Sequence, residues 1–462
     1  MSVLLANVEV DGRCADVRVD GELIVAVDPK VQPLAGEDVV DARGAALLPG
    51  LHDHHVHVLA AAAAAASVQC GPPSVRDLAS LTAALRATPA NGWVRGVGYV
   101  ETVAGPLDRH MLDRIVANRP VRVQDRSGGL WVLNSLALQM TRLDHSNESD
   151  VERDASGETT GRLWRYDARL RDRIDEPEVP DLAALGRQLN RYGITGVTDA
   201  TPDLDASATA LLADAIRSGE LPVDLVLLGT PDDAELPSGV HAGPRKLLLR
   251  DHDLPTLDDL VEMIELSHAR NRPVAVHCVT RESLVLTVVA LEAAGALDGV
   301  RIEHAAVVPA DFGRRIAALG VAVVTQPTFI ALRGDDYLRE AAPDDVGCLY
   351  PYASLLAAGV RVAPSSDAPY GDLDPWRTLT AARDRTAASG ATVVPQERVD
   401  AAVALHGLLS PLHDPGGDPR RVCTGVVADL CLFDAPLHDV LAEPHADRVQ
   451  LVLHRGRVVF GR

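Results

Sequence analysis

The sequence predicts an α/β fold: a (β/α)8 TIM barrel with an insertion after its first strand, plus a small β-sandwich built from both chain termini. Three observations support this prediction. Apolar strand-like runs alternate with helical patterns through the middle of the chain, which is typical of βαβ units and a parallel sheet. Short β-like runs separated by turn signals occupy both ends. The length of 462 residues suits a barrel with insertions and a smaller companion.

The two chain ends are predicted to build the sandwich from discontinuous pieces. The N-terminal β-like runs are Val3–Val10, Val17–Val19 and Leu23–Val27, and they indicate a small antiparallel sheet. The C-terminal runs of the same character are Ala428–Leu432, Val449–Leu453 and Arg457–Phe460. We therefore expect residues 1–48 and 406–462 to form the sandwich and residues 49–405 to form the barrel.

Eight apolar runs in the middle of the chain are candidate barrel strands. They are Ala46–Leu51, Ile194–Asp199, Val223–Leu228, Lys246–Leu249, Val274–His277, Val300–Glu303, Val321–Thr325 and Arg361–Ser365. Helical patterns fit between several of them. After the fourth run, for example, Thr256 and Asp259 resemble a capping box that precedes residues at helical spacing.

A stretch of about 67–187 is longer than any barrel connection needs, and we assign it to an insertion after the first strand. It contains two strand-like runs, Trp93–Gly98 and Val121–Gln124. Its segment Asp144–Gly161 is polar and acidic, which predicts a mobile surface loop.

The composition excludes several classes of protein. A net charge of -21 without a Lys/Arg run makes nucleic acid and membranes poor partners. No apolar run approaches the ~20 residues that span a bilayer, and the N-terminus lacks the pattern of a secretory signal. The six cysteines contain no CxxC pair, so a thiolate zinc site is not indicated. We expect a cytoplasmic protein that acts on a small molecule, with homo-oligomers left open.

Four histidines within six residues are the strongest chemical signal. In Pro49–His57, His52 with His54 and His55 with His57 are both two residues apart, so either pair could share a metal on an extended strand. The spacing does not choose between the pairs. A His-rich polar surface loop is the alternative interpretation.

Three further polar residues follow apolar runs, where a barrel of this type places its catalytic groups. They are His277, His304 and Asp367. Imidazole suits zinc and similar transition metals, and a carboxylate can be both a ligand and a proton acceptor for bound water. Each histidine alone is more often an ordinary buried or surface residue, but the set together favours a metal site.

Lys246 is informative because Lys30 and Lys246 are the only lysines among 44 basic residues. A lysine at the start of a barrel strand is therefore expected to be required for its amine, which can be deprotonated and carboxylated where guanidinium cannot. Chance retention of a lysine on a strand edge is the alternative.

The segment Pro49–His57 resembles the PGxxDxHxH opening of the metal-dependent amidohydrolase superfamily, and this resemblance selects His55 and His57 as the paired ligands. Arg301–Ala305 and Ser366–Pro369 look like the sixth- and eighth-strand motifs of that superfamily. The insertion, with Leu130–Ser135 in it, resembles the branch that includes N-substituted formamide deformylases, known as amidohydrolase family 3.

The resemblance implies a hydrolase that cleaves an amide or cyclic amide by metal-activated hydroxide, with one or two divalent ions such as zinc. It implies that Asp367 is a ligand that also moves the proton, and that a carboxylated Lys246 bridges two ions. The ligand set is His55, His57, Lys246, His277, His304 and Asp367.

Two alternatives remain: a mononuclear enzyme like a deaminase or imidazolonepropionase, and a metal-free relative that only binds a ligand. Arg281, Gln326 and Tyr370 lie beyond strands five, seven and eight, and they are candidates to line a substrate pocket. Ordinary solvated loop residues are the alternative for these three.

Overall fold

A computed structural model of the chain describes residues 2–88, 92–174, 179–231, 235–237 and 239–462. The chain divides into two compact units. The first unit comprises Met1–Val58 and Leu182–Arg462, and the second comprises Leu59–Asp181. The second unit therefore overlaps most of the predicted insertion at about 67–187.

Strands and helices alternate through much of the first unit. The strands of the described chain are β1 (Ser2–Val10), β2 (Arg13–Asp20), β3 (Leu23–Asp28), β4 (Asp38–Asp41), β5 (Leu47–Pro49), β6 (Leu51–Val56), β7 (Val68–Gln69), β8 (Val94–Tyr99), β9 (Val121–Asp125), β10 (Leu130–Leu133), β11 (Val151–Arg153), β12 (Thr159–Trp164), β13 (Ile194–Asp199), β14 (Asp224–Leu227), β15 (Val240–Ala242), β16 (Arg245–Leu247), β17 (Val274–Cys278), β18 (Arg301–His304), β19 (Ala322–Thr325), β20 (Val362–Pro364), β21 (Leu430–Phe433), β22 (Val449–His454) and β23 (Arg457–Gly461).

The α-helices of the same residues are α1 (Val58–Ala65), α2 (Leu78–Arg86), α3 (Glu101–Ala104), α4 (Arg109–Ile115), α5 (Ser135–Met140), α6 (Asp167–Arg171), α7 (Leu182–Arg191), α8 (Ala206–Ser218), α9 (Leu257–His268), α10 (Arg281–Ala294), α11 (Phe312–Ala318), α12 (Thr328–Glu340), α13 (Pro343–Val346), α14 (Tyr352–Ala357), α15 (Pro375–Asp384), α16 (Ala401–Leu409) and α17 (Leu437–Ala442). Short 3-10 helices occupy Pro395–Glu397 and Ala446–Arg448. The capping box predicted from Thr256 and Asp259 is present at the start of α9. No helix in these parts of the chain is long and apolar enough to cross a bilayer.

The chain ends form two four-stranded sheets that share one apolar core. The first sheet has the order β3-β2-β1-β4 and the second has the order β23-β22-β21-β5. Leu5 and Val17 from the first sheet pack in the same cluster as Leu430 and Leu453 from the second. The three predicted N-terminal strands pair antiparallel, which confirms the prediction for them, and the fourth strand β4, which was not predicted, pairs with β1 in parallel. This strand is short and mostly exposed, so its sequence lacks the apolar alternation of a strand.

Parallel strands form two further sheets, with the orders β15-β14-β13-β6 and β16-β17-β18-β19-β20. β15 and β16 are separated only by Gly243 and Pro244. Backbone hydrogen bonds also join the two sheets. Lys246 N donates to Leu228 O at 3.1 Å, and Asp367 N donates to His55 O at 2.8 Å.

The first predicted barrel strand, Ala46–Leu51, is divided at Gly50, which is a correction to the sequence analysis. β5 pairs with β21 in the C-terminal sheet, whereas β6 pairs with β13 in a parallel sheet. A Cβ at position 50 would lie 2.3 Å from the Thr195 side chain, so only glycine fits where the chain passes between the sheets. The other seven predicted strands are confirmed within one or two residues at each end. β15 was not predicted.

The second unit contains a six-stranded sheet with the order β11-β12-β10-β9-β8-β7. Two apolar clusters are formed within this unit, one around Leu81 and Val123 and one around Trp131 and Leu163. The two strands predicted there correspond to β8 and β9. The loop prediction for Asp144–Gly161 was wrong in part, because β11 and the start of β12 lie within it, and the side chains of Val151 and Thr159 are buried.

Candidate metal centre

The predicted ligands lie in or just after strands of the two parallel sheets. His55 is in β6, Lys246 in β16, His277 in β17 and His304 in β18, and Asp367 follows β20. In parallel sheets of α/β proteins the carboxyl ends of the strands carry the active-site groups.

Three of these side chains converge. The Nε2 atoms of His55 and His57 lie 3.4 Å and 3.3 Å from Oδ1 of Asp367. One ligand atom from each of the three residues lies within 4.8 Å of the others, and no second group of this kind occurs in the described chain. His55 and Asp367 are buried, and His57 is partly buried. This geometry suits a single small cation held between two imidazoles and a carboxylate.

The other histidine pair has different partners. Alternation along β6 places His52 and His54 on the opposite face from His55 and His57. His52 Nδ1 lies 2.9 Å from the backbone oxygen of Ser410, and His54 Nε2 lies 3.1 Å from that of Gly407. Both acceptors lie at the end of α16. These contacts join β6 to α16.

His277 and His304 lie next to the converging group. The ring centroid of His304 is 4.9 Å from that of His55 and 4.5 Å from that of His277. His304 Nδ1 lies 3.8 Å from Oδ2 of Asp367.

His304 and Asp367 both have left-handed backbone conformations, with φ of 67° and 52°. Such values are uncommon outside glycine and occur often at functional sites. At His304 this conformation ends the strand alternation, so that Glu303 and His304 both contact site residues although they are adjacent in sequence.

Lys246 is buried, and its Nζ atom makes no hydrogen bond with any described residue. Burial lowers the pKa of this amine. Loss of the proton leaves a lone pair, which is required for the amine to react with carbon dioxide.

Burial also determines the charge of the other groups. Desolvation lowers the pKa of His55 to about 4 and that of His304 to about 3, so both imidazoles are neutral near pH 7 and keep a lone pair for a cation. For Asp367, burial raises the pKa, but His55, His57 and His304 outweigh it and hold the pKa below its usual range. The neutral imidazoles of His55 and His304 therefore lie beside the carboxylate of Asp367.

Each of three histidines has a partner for its Nδ1 atom, and the sequence analysis missed two of these partners. His55 contacts Glu303, His57 lies 3.1 Å from Thr201 Oγ1, and His304 lies 2.8 Å from Gln326 Oε1. Glu303 was quoted within a motif but given no role. Glu303 could have been found from the sequence, because it is a charged residue in a predicted barrel strand, at a position whose side chain is directed into the protein by strand alternation.

The three candidate substrate residues lie in different surroundings. Gln326 is fully buried and also donates to Ser365, so it supports His304 from within the protein. Arg281 donates from Nε to Asp345 at 2.6 Å. Tyr370 lies beside another ligand candidate, with its ring centroid 5.4 Å from that of His57.

Comparison with known proteins identifies similar chains. A model described as "Amidohydrolase family" matches residues 38–460. The chain is 28% identical to the N-substituted formamide deformylase of Arthrobacter pascens over 507 aligned positions, which cover 94% of this chain and 93% of that protein.

Solved structures resemble the whole chain in fold. An uncharacterised metal-dependent hydrolase from Pyrococcus horikoshii has a TM-score of 0.74 at 18% identity, with all of both chains covered. A second such hydrolase, from Pyrococcus furiosus, has a TM-score of 0.72 at 20% identity and covers 94% of this chain and 99% of its own.

Proposed function

This chain belongs to the amidohydrolase family, and on that premise we propose that it hydrolyses a carbon–nitrogen bond of a small amide or cyclic amide at a metal centre. It is a hydrolase that acts on carbon–nitrogen bonds other than peptide bonds. The observation that supports the metal centre most strongly is the convergence of His55, His57 and Asp367.

The side chains fit a divalent transition metal. The imidazole of His55 is neutral, the carboxyl group of Asp367 is ionised, and its Oδ1 atom is buried without a hydrogen bond to a described residue. An acceptor that is buried and unpaired is unfavourable unless a ligand or cation satisfies it. One or two ions, zinc being the first candidate, would be held by His55, His57, Asp367, His277 and His304, and a carboxylated Lys246 would be a further ligand to a second ion.

When bound, the metal supplies Lewis-acid polarisation of the scissile carbonyl and lowers the pKa of water to about 7. The protein's own contribution is proton transfer and orientation. Asp367 is the acceptor for the proton of the attacking water, and it returns this proton to the leaving nitrogen. Its lowered pKa means that the carboxylate is ionised at neutral pH and has room for the proton.

We infer that the two parallel sheets are halves of one (β/α)8 barrel, in which β15 and β16 are a single fourth strand interrupted at Gly243. The hydrogen bonds at the two seams support this, including His57 N to Ala368 O at 2.9 Å. We also infer that residues 59–181 are the insertion after the first barrel strand and that the two terminal sheets are a sandwich.

Elemental analysis tests the proposal. Purified protein, reconstituted with zinc and bicarbonate, is expected to contain about one to two equivalents of metal by plasma mass spectrometry. The variant with both His55→Ala and His57→Ala should contain none. N-substituted formamides, amides and cyclic amides are the substrates to screen first, since the relative from Arthrobacter pascens is an N-substituted formamide deformylase. A wild-type protein that binds no metal would contradict the mechanism and favour a metal-free ligand-binding relative.

One observation favours a mononuclear alternative of the deaminase or imidazolonepropionase type. The converging group offers one ligand atom from each of His55, His57 and Asp367, which suits a single ion, and it includes neither His277 nor His304. The variant Lys246→Ala distinguishes the two reactions. A mononuclear enzyme keeps its single equivalent of metal and much of its rate, whereas a dinuclear enzyme loses one equivalent and its activity.

A further inference from the structure

The strand β18 has two charged side chains on one face although every residue of the strand is buried. Arg301 and Glu303 are two positions apart and have exposed fractions of 1% and 0%. Arg301 donates from Nε to one carboxylate oxygen of Glu303 and from Nη2 to the other, the second at 3.0 Å. Since buried charges are tolerated when they are paired and hydrogen-bonded, the two residues act as one neutral unit.

This charged pair holds His55 at two points. Glu303 Oε2 accepts a hydrogen bond from Nδ1 of the His55 imidazole. Arg301 Nη2 donates to the backbone oxygen of His54, which is the peptide group immediately before His55. The side chain of His55 and the His54 carbonyl that precedes it are thus both bound to the same ion pair.

The contact with Glu303 also determines which nitrogen of His55 carries the proton. A carboxylate only accepts hydrogen bonds, so Nδ1 must be protonated to donate to it. The lone pair of the neutral imidazole is then on Nε2. This is the atom that lies 3.4 Å from Asp367 within the converging group.

His55 differs from the neighbouring ligand candidates in the charge of the group that its Nδ1 atom contacts. The Nδ1 partners of His57 and His304 are the hydroxyl of Thr201 and the amide of Gln326, which are neutral. A hydrogen bond to an ionised acceptor is shorter and stronger than one to a neutral acceptor, and a carboxylate partner raises the basicity of the ligating nitrogen.

We propose that Arg301 and Glu303 are positioning residues that lock His55 in its Nδ1-protonated tautomer and aim its Nε2 atom at the metal. The proposal rests on the metal-dependent function proposed above. It assigns to β18 a role in metal affinity that is separate from the ligand His304 on the same strand.

The variant Glu303→Gln tests the proposal, because it keeps the shape of the side chain and removes its charge. Zinc affinity, measured by competition with a chromophoric chelator, is expected to fall about 10- to 100-fold. The matched control is Glu397→Gln. Glu397 is also a buried glutamate, but its carboxylate accepts hydrogen bonds from Ser354. An unchanged affinity in the Glu303→Gln variant, with wild-type protein binding metal normally, would overturn the proposal without affecting the proposed function.

A second measurement needs no variant of Glu303. In metal-free wild-type protein labelled with ¹⁵N-histidine, two-bond proton–nitrogen correlations identify the tautomer of each imidazole, and the His55 signal is assigned by its absence in a His55→Gln variant. We expect the proton on Nδ1 of His55. A proton on Nε2 would refute the proposal even if Glu303→Gln does not fold. Failure of the wild-type protein to bind zinc would instead refute the proposed function.

Discussion

His52 and His54 on β6 have the same spacing as His55 and His57 but entirely different surroundings. The first pair faces backbone acceptors at the end of α16. The second pair faces the carboxylate of Asp367. Both pairs include a fully buried imidazole with a lowered pKa, so neither burial nor titration separates them. The difference is that an anionic side chain lies on one face of the strand and carbonyl oxygens lie on the other.

This comparison shows what makes a histidine pair a candidate metal site. An imidazole with one nitrogen against a backbone carbonyl donates its proton there, so it supports packing. An imidazole whose Nδ1 proton is directed elsewhere, and whose other nitrogen faces a carboxylate, is arranged to share a cation. Variants of the two pairs should therefore lose different properties.

The largest effect is expected when each pair is replaced by alanine. The variant of His55 and His57 should lose its metal and all measurable hydrolysis, whereas the variant of His52 and His54 should keep its metal if it folds. Metal content and circular dichroism of both variants check this. Equal metal loss from two folded variants would remove the distinction between the pairs.

The next largest effect is expected for Asp367→Asn, which keeps the shape of the residue that the second pair faces. Its hydrolytic rate should fall about 10²- to 10⁴-fold, because the proton acceptor is lost. Steady-state kinetics at saturating metal measure this. A rate within a few-fold of wild type would mean that another group moves the proton.

A smaller effect, on stability rather than catalysis, is expected for His54→Ala. This change leaves the Gly407 carbonyl without the imidazole and removes a contact with Ser410 Oγ at 3.0 Å. Two buried hydrogen bonds of about 0.5–1.5 kcal/mol each are lost, so the free energy of unfolding should fall by about 1–3 kcal/mol. Urea denaturation measures that change, and a decrease in stability with unchanged metal content would sharpen the comparison.

The smallest effect is expected for Thr201→Val, which removes the neutral partner of His57 but keeps its volume. A neutral hydrogen bond contributes about 0.5–1.5 kcal/mol, so zinc affinity should weaken by about tenfold or less. Chelator competition against wild type gives the value. A loss larger than that of Glu303→Gln would contradict the special importance of a charged partner.

Much of the parallel part of the fold could be predicted because its strands are buried on both faces. Ile194–Asp199 and Val274–Cys278 have apolar runs that end in turn residues, and such runs are local signals. The division at Gly50 could not be predicted in this way, since it depends on Thr195 and on Asp429, whose backbone oxygen accepts from Gly50 N. β4 and β15 are too short and too polar to leave a periodic pattern.

The candidate site was predicted to a similar extent. His277, His304 and Asp367 follow apolar runs, and the structure brings them near His55 and His57. The choice of His55 and His57 over His52 and His54 came from the family resemblance, because spacing treats both pairs alike. The partners of the ligands depend on which strands are neighbours, and this information is not local. For this reason the contact between Gln326 and His304 could not be predicted, and Gln326 was instead expected to line a substrate pocket.

The division of the first strand at Gly50 has a consequence for biosynthesis. Only Gly50 separates β5 from β6, and β21, the strand that pairs with β5, comes several hundred residues later in the chain. On the ribosome, the strand that presents His55 and His57 emerges long before its anchor β21. The nascent chain must therefore keep these histidines without their native support until β21 has been synthesised, because contacts between distant parts of a sequence form late.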